Sequence, residues 1–449
     1  MTALANVLPA SFILRYQGAR HISLIETEVN LKIGLGLLYW YLNYKFTHVS
    51  KKNSSPTNRL AIIQINLTMQ PILSIVFVVD TLASGGAGRQ VAIVGSELAR
   101  RGHRVTICTT NQAEGPNYYE CHPEISQINI KVQSKLNNTL VRMIDMVYSI
   151  IQLRKIFKKR NPNLVISFLP GNNFRAGIAA TGLGLPLIAC ERNYMPARLR
   201  ASSPLHRLFY YLMSKLLYPR TAALCVQTKH LLEWLSKKVP GHDIKLIPNV
   251  VVEPSQKGSE QLIHFAPKRK SLLFVGRMVE QKRVGVLINA FSKLADTFLE
   301  LDLVLVGDGD QKEALEAQVI QQGIQHRVFF TGHVKDVRPY FRNASIFVLP
   351  SRFEGFPNAL SEAMSMGVPS ICFDILAGTK ELSNMGERAM LLPNLEPETE
   401  LAQGIKTLLD DPEHMSALSK KAKSVAVEFS TEKVVAKWES LARNYAKHH

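Results

Sequence analysis

The chain has 449 residues, 46% of them hydrophobic and 20% charged, which is enough apolar material for two or three packed domains and excludes a wholly disordered chain. Its five cysteines (Cys108, Cys121, Cys190, Cys225, Cys372) include no CxxC pair, which argues against a disulfide scaffold, a zinc ribbon and a thioredoxin-type site and leaves reduced thiols of a cytosolic compartment. The net charge of +18 is uneven: residues 1–70 carry +5, 71–250 carry +14 and 251–449 carry −1, so the middle segment is expected to meet an anionic partner, nucleic acid or membrane.

Taken in chain order, the longest early apolar run is 33–44 (IGLGLLYWYLNY). It is shorter than the roughly 20 residues of a spanning helix. Glu26 and Glu28 precede it and no small-residue cleavage site follows, so a signal peptide fits poorly. Two readings stand for 1–70: an interfacial anchor with Tyr39, Trp40 and Tyr41 at headgroup level, or an upstream extension ahead of a first residue at Met69. The run 72–80 (ILSIVFVVD) reads as a parallel strand buried on both faces, 84–89 as a glycine-rich turn, 90–101 as a helix stopped by Gly102, and 105–110 as the next strand. A helix with a cationic end is expected at 140–159, strands at 164–168, 186–190, 222–227 and 245–247, and a helix near 175–181. The polar stretch 251–270 reads as a linker. The pattern then restarts, with strands at 271–275, 303–306, 328–331, 346–349 and 369–373, helices at 284–295, 312–322 and 358–366, and helix from about 398 onward. Strands alternating with helices twice over predict two doubly wound α/β domains, at 71–250 and 251–431. Ligands of such sheets sit at the carboxyl ends of the strands, which makes the cleft between the domains the expected site.

The segment 351–367 (SRFEGFPNALSEAMSMG) carries the most chemistry. Glu354 lies in a loop and Glu362 in a helix opened by Pro357 or Asn358. The free amides of Gly355, Phe356, Asn358 and Ala359 can face an anion, while both carboxylates can accept bonds from sugar hydroxyls. Upstream, Arg277 directly follows a strand, and Lys282 precedes a helix. Two fixed cations there suit a diphosphate, Arg277 through paired bonds. Alone, each of these residues reads as a solvated surface group; their combination points to a diphosphate beside sugar hydroxyls. Asp308-Gly309-Asp310 reads as turn and cap residues rather than a metal site. Gly86-Ala87-Gly88 is only part of a dinucleotide fingerprint, since Asn111 stands where the acidic residue is expected. The stretches 140–160 and 198–220 mix apolar or aromatic bodies with basic heads and predict contact with an anionic leaflet. No nucleic-acid module is recognisable.

In order, LASGGAGRQ, FVGRMVEQK, VLVGDGD, VFFTGHV and the Glu-x7-Glu block resemble the retaining glycosyltransferases of family 4, from residue 72 to the C-terminus. The resemblance implies a GT-B fold, two Rossmann-like domains facing a central cleft, with the last helix, about 432–449, packing back on the first domain. It implies that Arg277 and Lys282 bind the donor diphosphate without a metal or other cofactor, that Glu362 binds the nucleotide ribose, and that Glu354 contacts the donor sugar near the reacting centre. Gly85 and Gly86 would let the first domain's loop approach the phosphate; Gly355, Phe356 and Asn358 would complete the donor side. The family's glycine after the motif lysine is Arg283 here, a departure that bears on the loop's conformation. ISFLPGNN (166–173) and CERN (190–193) resemble the subset that builds lipid-linked oligosaccharides and surface polysaccharides, many of which use UDP-linked N-acetylhexosamines. Glu191, Arg192 and Asn193 end a strand and are expected to face the cleft on the acceptor side. The expected partners are a nucleotide sugar, a polyprenyl-diphosphate-linked glycan and the cytoplasmic face of a membrane, bound peripherally. Two alternatives are a UDP-N-acetylhexosamine 2-epimerase on the same fold and a non-catalytic scaffold.

Overall fold

The computed structural model describes residues 71–447 apart from 84, 112–118, 131–138, 201, 253–268, 335 and 376–377, so the readings made for 1–70 and most of the 251–270 linker lie outside the described residues. Within 71–447 the chain builds two parallel sheets. The first holds β1 (Ser74–Val79), β2 (Arg104–Thr109), β3 (Ser126–Asn129), β4 (Leu164–Phe168), β5 (Leu187–Glu191), β6 (Ala223–Val226) and β7 (Ile244–Leu246) in the order β3-β2-β1-β4-β5-β6-β7. The second holds β8 (Lys270–Val275), β9 (Leu301–Val306), β10 (Val328–Gly332), β11 (Ile346–Leu349), β12 (Ser370–Phe373) and β13 (Met390–Leu392) in the order β10-β9-β8-β11-β12-β13. The apolar runs explain the centres: every residue of β4, β5 and β9 is buried, as a parallel strand covered by helices on both faces requires.

The helices around the first sheet are α1 (Gly86–Arg100), α2 (Thr139–Arg160), α3 (Pro170–Ala180), α4 (Met195–Arg200), α5 (Pro204–Leu212) and α6 (Lys229–Lys238). A π-helical turn (Met213–Leu217) and a 3-10 turn (Tyr218–Arg220) continue α5. Around the second sheet are α7 (Val284–Ala295), α8 (Lys312–Gln321), α9 (Arg338–Asn343), α10 (Asn358–Ser365), α11 (Gly378–Leu382), α12 (Pro397–Asp410), α13 (Pro412–Ala422) and α14 (Ser424–Glu428). The last helix, α15 (Thr431–Tyr445), returns to the first sheet. Its Val434, Val435, Trp438, Leu441 and Ala442 are buried in the core built on β1, β4 and α1, and Trp438 stacks on Phe168 at 5.8 Å. The two crossings between the halves pair with each other through Val251 N–H and the Phe429 carbonyl at 2.9 Å.

Each strand order reverses once, between β1 and β4 and between β8 and β11. Such switch points open a crevice at the carboxyl ends of the strands. In the first sheet it is flanked by Gly85 and Leu169, in the second by Gly276 and Pro350. The helix expected near 175–181 begins at Pro170, because Leu169 turns at φ 78 and proline suits the first helical position. Asn172 and Asn173 therefore sit in that helix's first turn, fully buried and bonded to strand ends.

Candidate active site

The second sheet presents charged groups toward the crevice. Past β8, Gly276 turns the chain and leaves Arg277 exposed, with no ion-pair partner among the described residues. The turn is locked to the one after β9: Met278 N–H donates to the Asp308 carbonyl at 2.9 Å and Gln311 N–H to the Met278 carbonyl at 3.0 Å. Asp308 itself accepts from Gly309 N–H at 2.7 Å, the self-capping of a tight turn. A 3-10 turn over Glu280–Lys282 then delivers Lys282, whose Nζ lies 2.5 Å from Glu354 Oε1, both side chains being largely buried. Arg283 occupies the left-handed region at φ 50, ψ 43, which accounts for glycine in the related motif. Its guanidinium donates to the Pro350 carbonyl at 2.8 Å and to Asn394 Oδ1 at 2.9 Å and lies 4.9 Å from the Phe373 ring centre. Burial lowers its pKa to about 10. The substitution therefore keeps the loop's conformation and staples it to the end of β11.

Helix α10 starts at Asn358 with Pro357 before it and no side-chain cap, so its first-turn amides present partial positive charge to the crevice. One turn in, the Glu362 carboxylate accepts from the Arg89 guanidinium, which comes from the first turn of α1 in the other domain. Burial raises the Glu362 pKa, opposed by Arg89. Gly355 and Asn358 meet the first domain directly. A Cβ at Gly355 would fall 2.7 Å from the Arg192 backbone carbonyl, so glycine is required there, and one at Gly86 would fall 2.5 Å from Asn358 Nδ2 and would have to displace that side-chain amide. Asn358 Oδ1 accepts from Asn249 Nδ2 at 2.8 Å, and Asn249 Oδ1 from Gln227 Nε2 at 3.1 Å. On the far side, Glu381 Oε1 of α11 accepts from His230 N–H at the start of α6 at 3.2 Å. Gly85, at φ 84, sits immediately before α1 with nothing within 4 Å of a Cβ there, so its role is conformational.

This geometry agrees with what the comparisons find. Residues 84–252 match the model described as Glycosyltransferase Family 4, and residues 269–411 the model described as Glycosyl transferases group 1. The chain belongs to the family 4 glycosyltransferases. A Campylobacter jejuni relative, named N-acetylgalactosamine-N,N'-diacetylbacillosaminyl-diphospho-undecaprenol 4-alpha-N-acetylgalactosaminyltransferase, is 25% identical over 79% of this chain and 95% of its own. Among solved structures, a sucrose-phosphate synthase from Thermosynechococcus elongatus superposes with a TM-score of 0.72 at 19% identity, covering 83% of this chain and 98% of that one. HepE from Anabaena, solved in complex with UDP and glucose, does so with 0.64 at 16% identity, over 82% and 99%. These neighbours share the GT-B fold with this glycosyltransferase.

The structure corrects the acceptor-side expectation for two residues of the glycosyltransferase. Glu191 is wholly buried and accepts from the Tyr218 hydroxyl and from Asn173 Nδ2. Arg192 turns its guanidinium between Phe168 and Trp438, 4.9 and 5.1 Å from the ring centres, and donates to the Ile247 carbonyl at 3.0 Å. Only the Arg192 backbone reaches the crevice; Asn193 beyond it is half-buried. Phe356 likewise turns its ring inward, edge-on to Phe429 at 5.7 Å. In place of the Glu191 and Arg192 side chains, the carboxyl ends of β1, β2 and β4 gather Asp80, Thr110 and Asn172: Thr110 Oγ1 donates to Asn172 Oδ1 at 2.7 Å and Asn172 Nδ2 to Asp80 Oδ1 at 2.9 Å. Sequence reasoning passed over Arg89 and Asn249. Arg89 stands inside a motif read for its glycines, and its partner is 273 positions away.

Proposed function

We propose that this glycosyltransferase moves an N-acetylhexosamine or a hexose from a UDP-linked donor to a polyprenyl-diphosphate-linked glycan, at the cytoplasmic face of a membrane and with retention at the anomeric carbon. The observation that carries the reading is the gathering of Arg277, the Lys282–Glu354 pair and the uncapped start of α10, with Glu362 one turn in, at the carboxyl ends of β8 and β11. In this reading Arg277, Lys282 and the amides of Gly355, Phe356 and Asn358 hold the donor diphosphate and stabilise the charge that grows on it as the anomeric C–O bond breaks. Glu362 takes the ribose hydroxyls, and Glu354 lies beside the donor sugar. Gly85 and Gly86 bring α1 close to the phosphates. The acceptor hydroxyl attacks from the first domain. The Campylobacter relative's name supplies the support for a diphospho-undecaprenol acceptor and for an alpha-linked product, and HepE's complex the support for UDP.

A membrane role draws on the surface of the first domain. Helix α2 exposes Met143, Ile144, Val147 and Ile151 ahead of Lys158, Lys159 and Arg160. The α5 arm exposes Leu205, Leu208, Tyr211 and Leu216 beside Arg207, Lys215 and Arg220. Helix α3 lies between them, packed on α2 and, through Phe174, edge-on to Phe209 at 5.2 Å. Apolar and cationic groups over adjoining elements suit an anionic leaflet. No helix among the described residues is long and apolar enough to cross a membrane.

The test is nucleotide release from UDP-, GDP- and ADP-sugars, with EDTA, in the presence and absence of membranes. UDP release that requires membrane lipid supports the reading. Lipid-independent conversion of the donor to its 2-epimer supports the epimerase instead, and no turnover of any donor supports the scaffold.

A further inference from the structure

Arg89 belongs to neither group of donor residues, yet it sits where the hinge and the donor site meet. Its neighbour Gln90 is buried and grips the first crossing between the domains: Nε2 donates to the Val250 carbonyl at 3.0 Å and Oε1 accepts from Val250 N–H at 2.7 Å. One residue earlier on that crossing, Asn249 holds Asn358, the first residue of α10. The first turns of α1 and α10 thus lie side by side, touching at Gly86 and Asn358 and, a turn further along both, at Arg89 and Glu362. The Arg89 and Glu362 side chains are 31% and 16% exposed, so their pairing is shielded from solvent but not sealed from a ligand.

We infer that Arg89 is a positioning residue for the donor: it orients the Glu362 carboxylate only when the two domains are closed, so that closure itself assembles the ribose site. A carboxylate has acceptor sites for several donors, and Arg89 engages one Glu362 oxygen, Oε1. The second oxygen serves the ribose hydroxyls. When the domains part, α1 withdraws with the hinge residues Asn249 and Val250, and Glu362 loses its orienting partner. The inference rests on the proposed function, because it takes Glu362 as the ribose ligand.

The experiment measures UDP binding by calorimetry, and steady-state kinetics, for the wild type, Arg89→Met, Arg89→Lys, Glu362→Gln and the Arg89→Met/Glu362→Gln double variant. Arg89→Met is expected to raise the UDP Kd and the donor KM about tenfold, within the range of a lost charge-assisted hydrogen bond, and to leave the acceptor KM unchanged. Arg89→Lys should recover part of the loss. The double variant should bind no more weakly than Glu362→Gln alone, since both changes remove one coupled unit. Unchanged or tighter UDP binding by Arg89→Met, or effects that add to those of Glu362→Gln, overturn the inference while the functional reading stands. A wild type that binds none of UDP, GDP and ADP overturns the functional reading, and this inference with it.

Discussion

The two walls of the crevice use charge in opposite ways. On the C-terminal wall Arg277 is exposed, and Lys282, Glu354 and Glu362 are gathered at strand and helix ends, held by short local turns. On the N-terminal wall Glu191 and Arg192 stand at an equivalent strand end but are turned into the protein, against Tyr218, Phe168 and Trp438. A charged residue at the carboxyl end of a parallel strand is therefore not by itself a ligand-facing group. Its orientation depends on which distant elements pack beside it, and on this wall they are the α5 arm and the returning C-terminal helix.

The contrast is open to direct attack. Arg277→Met is expected to cut turnover by about 10²–10³-fold with the melting temperature unchanged, the size of effect seen on removing one preorganised charge-stabilising group; a variant with near-normal turnover would remove Arg277 from the site. Arg192→Met should do the reverse. Losing the bond to the Ile247 carbonyl and the ring contacts is expected to cost about 2–3 kcal/mol in denaturant unfolding, with the folded fraction retaining its donor KM. A donor KM that shifts at unchanged stability would place Arg192 back in the site.

A third test concerns the anchor of the returning helix. Burial pushes the Glu439 carboxyl up, but bonds from Arg443, Arg101 and His103 outweigh it and bring its pKa to about 2. A folded-state pKa below the unfolded one stabilises above the unfolded value and is lost as pH falls through the folded one. Urea unfolding should thus show Glu439→Gln weaker than wild type by up to about 3 kcal/mol at pH 7, the two curves converging as pH falls from about 4.5 toward 2. Convergence at neutral pH would contradict the assignment. The smallest expected effect is Arg283→Gly, about 1–2 kcal/mol less stable, because relief of the left-handed backbone recovers less than the lost bonds to Pro350 and Asn394 contribute. A more stable variant would mean that the arginine's bonds contribute little.

The central strands were legible because burial on both faces makes them predominantly apolar runs: those predicted for β1, β4 and β9 lie within two residues of the observed strands. The edge strands β7 and β10 were read as well, but β3 and β13 were not. β3 reads SQIN, half-exposed and without an apolar run, and β13 is three residues long. The α3 boundary was missed because PGNN looks like a loop, whereas Asn172 and Asn173 satisfy strand-end groups from inside a helix. The residues of the C-terminal wall could be singled out because each lies within one of two short segments, 274–283 and 351–367. Arg89 could not, since its meaning depends on a partner carried by the other domain. Composition could not show either that Arg283 replaces a glycine by trading backbone strain for bonds to the end of β11.

Helix α15 makes the N-terminal domain discontinuous in sequence: its core is not complete until Trp438 and Leu441 are added from the far end of the chain. The domain whose strands are synthesised first therefore cannot finish folding first. During translation the second sheet, with all its strands contiguous, is able to close while the first still lacks a helix over β1 and β4. A nick or truncation after α14 would thus damage the first domain rather than the neighbouring second domain to which the cut chain is attached.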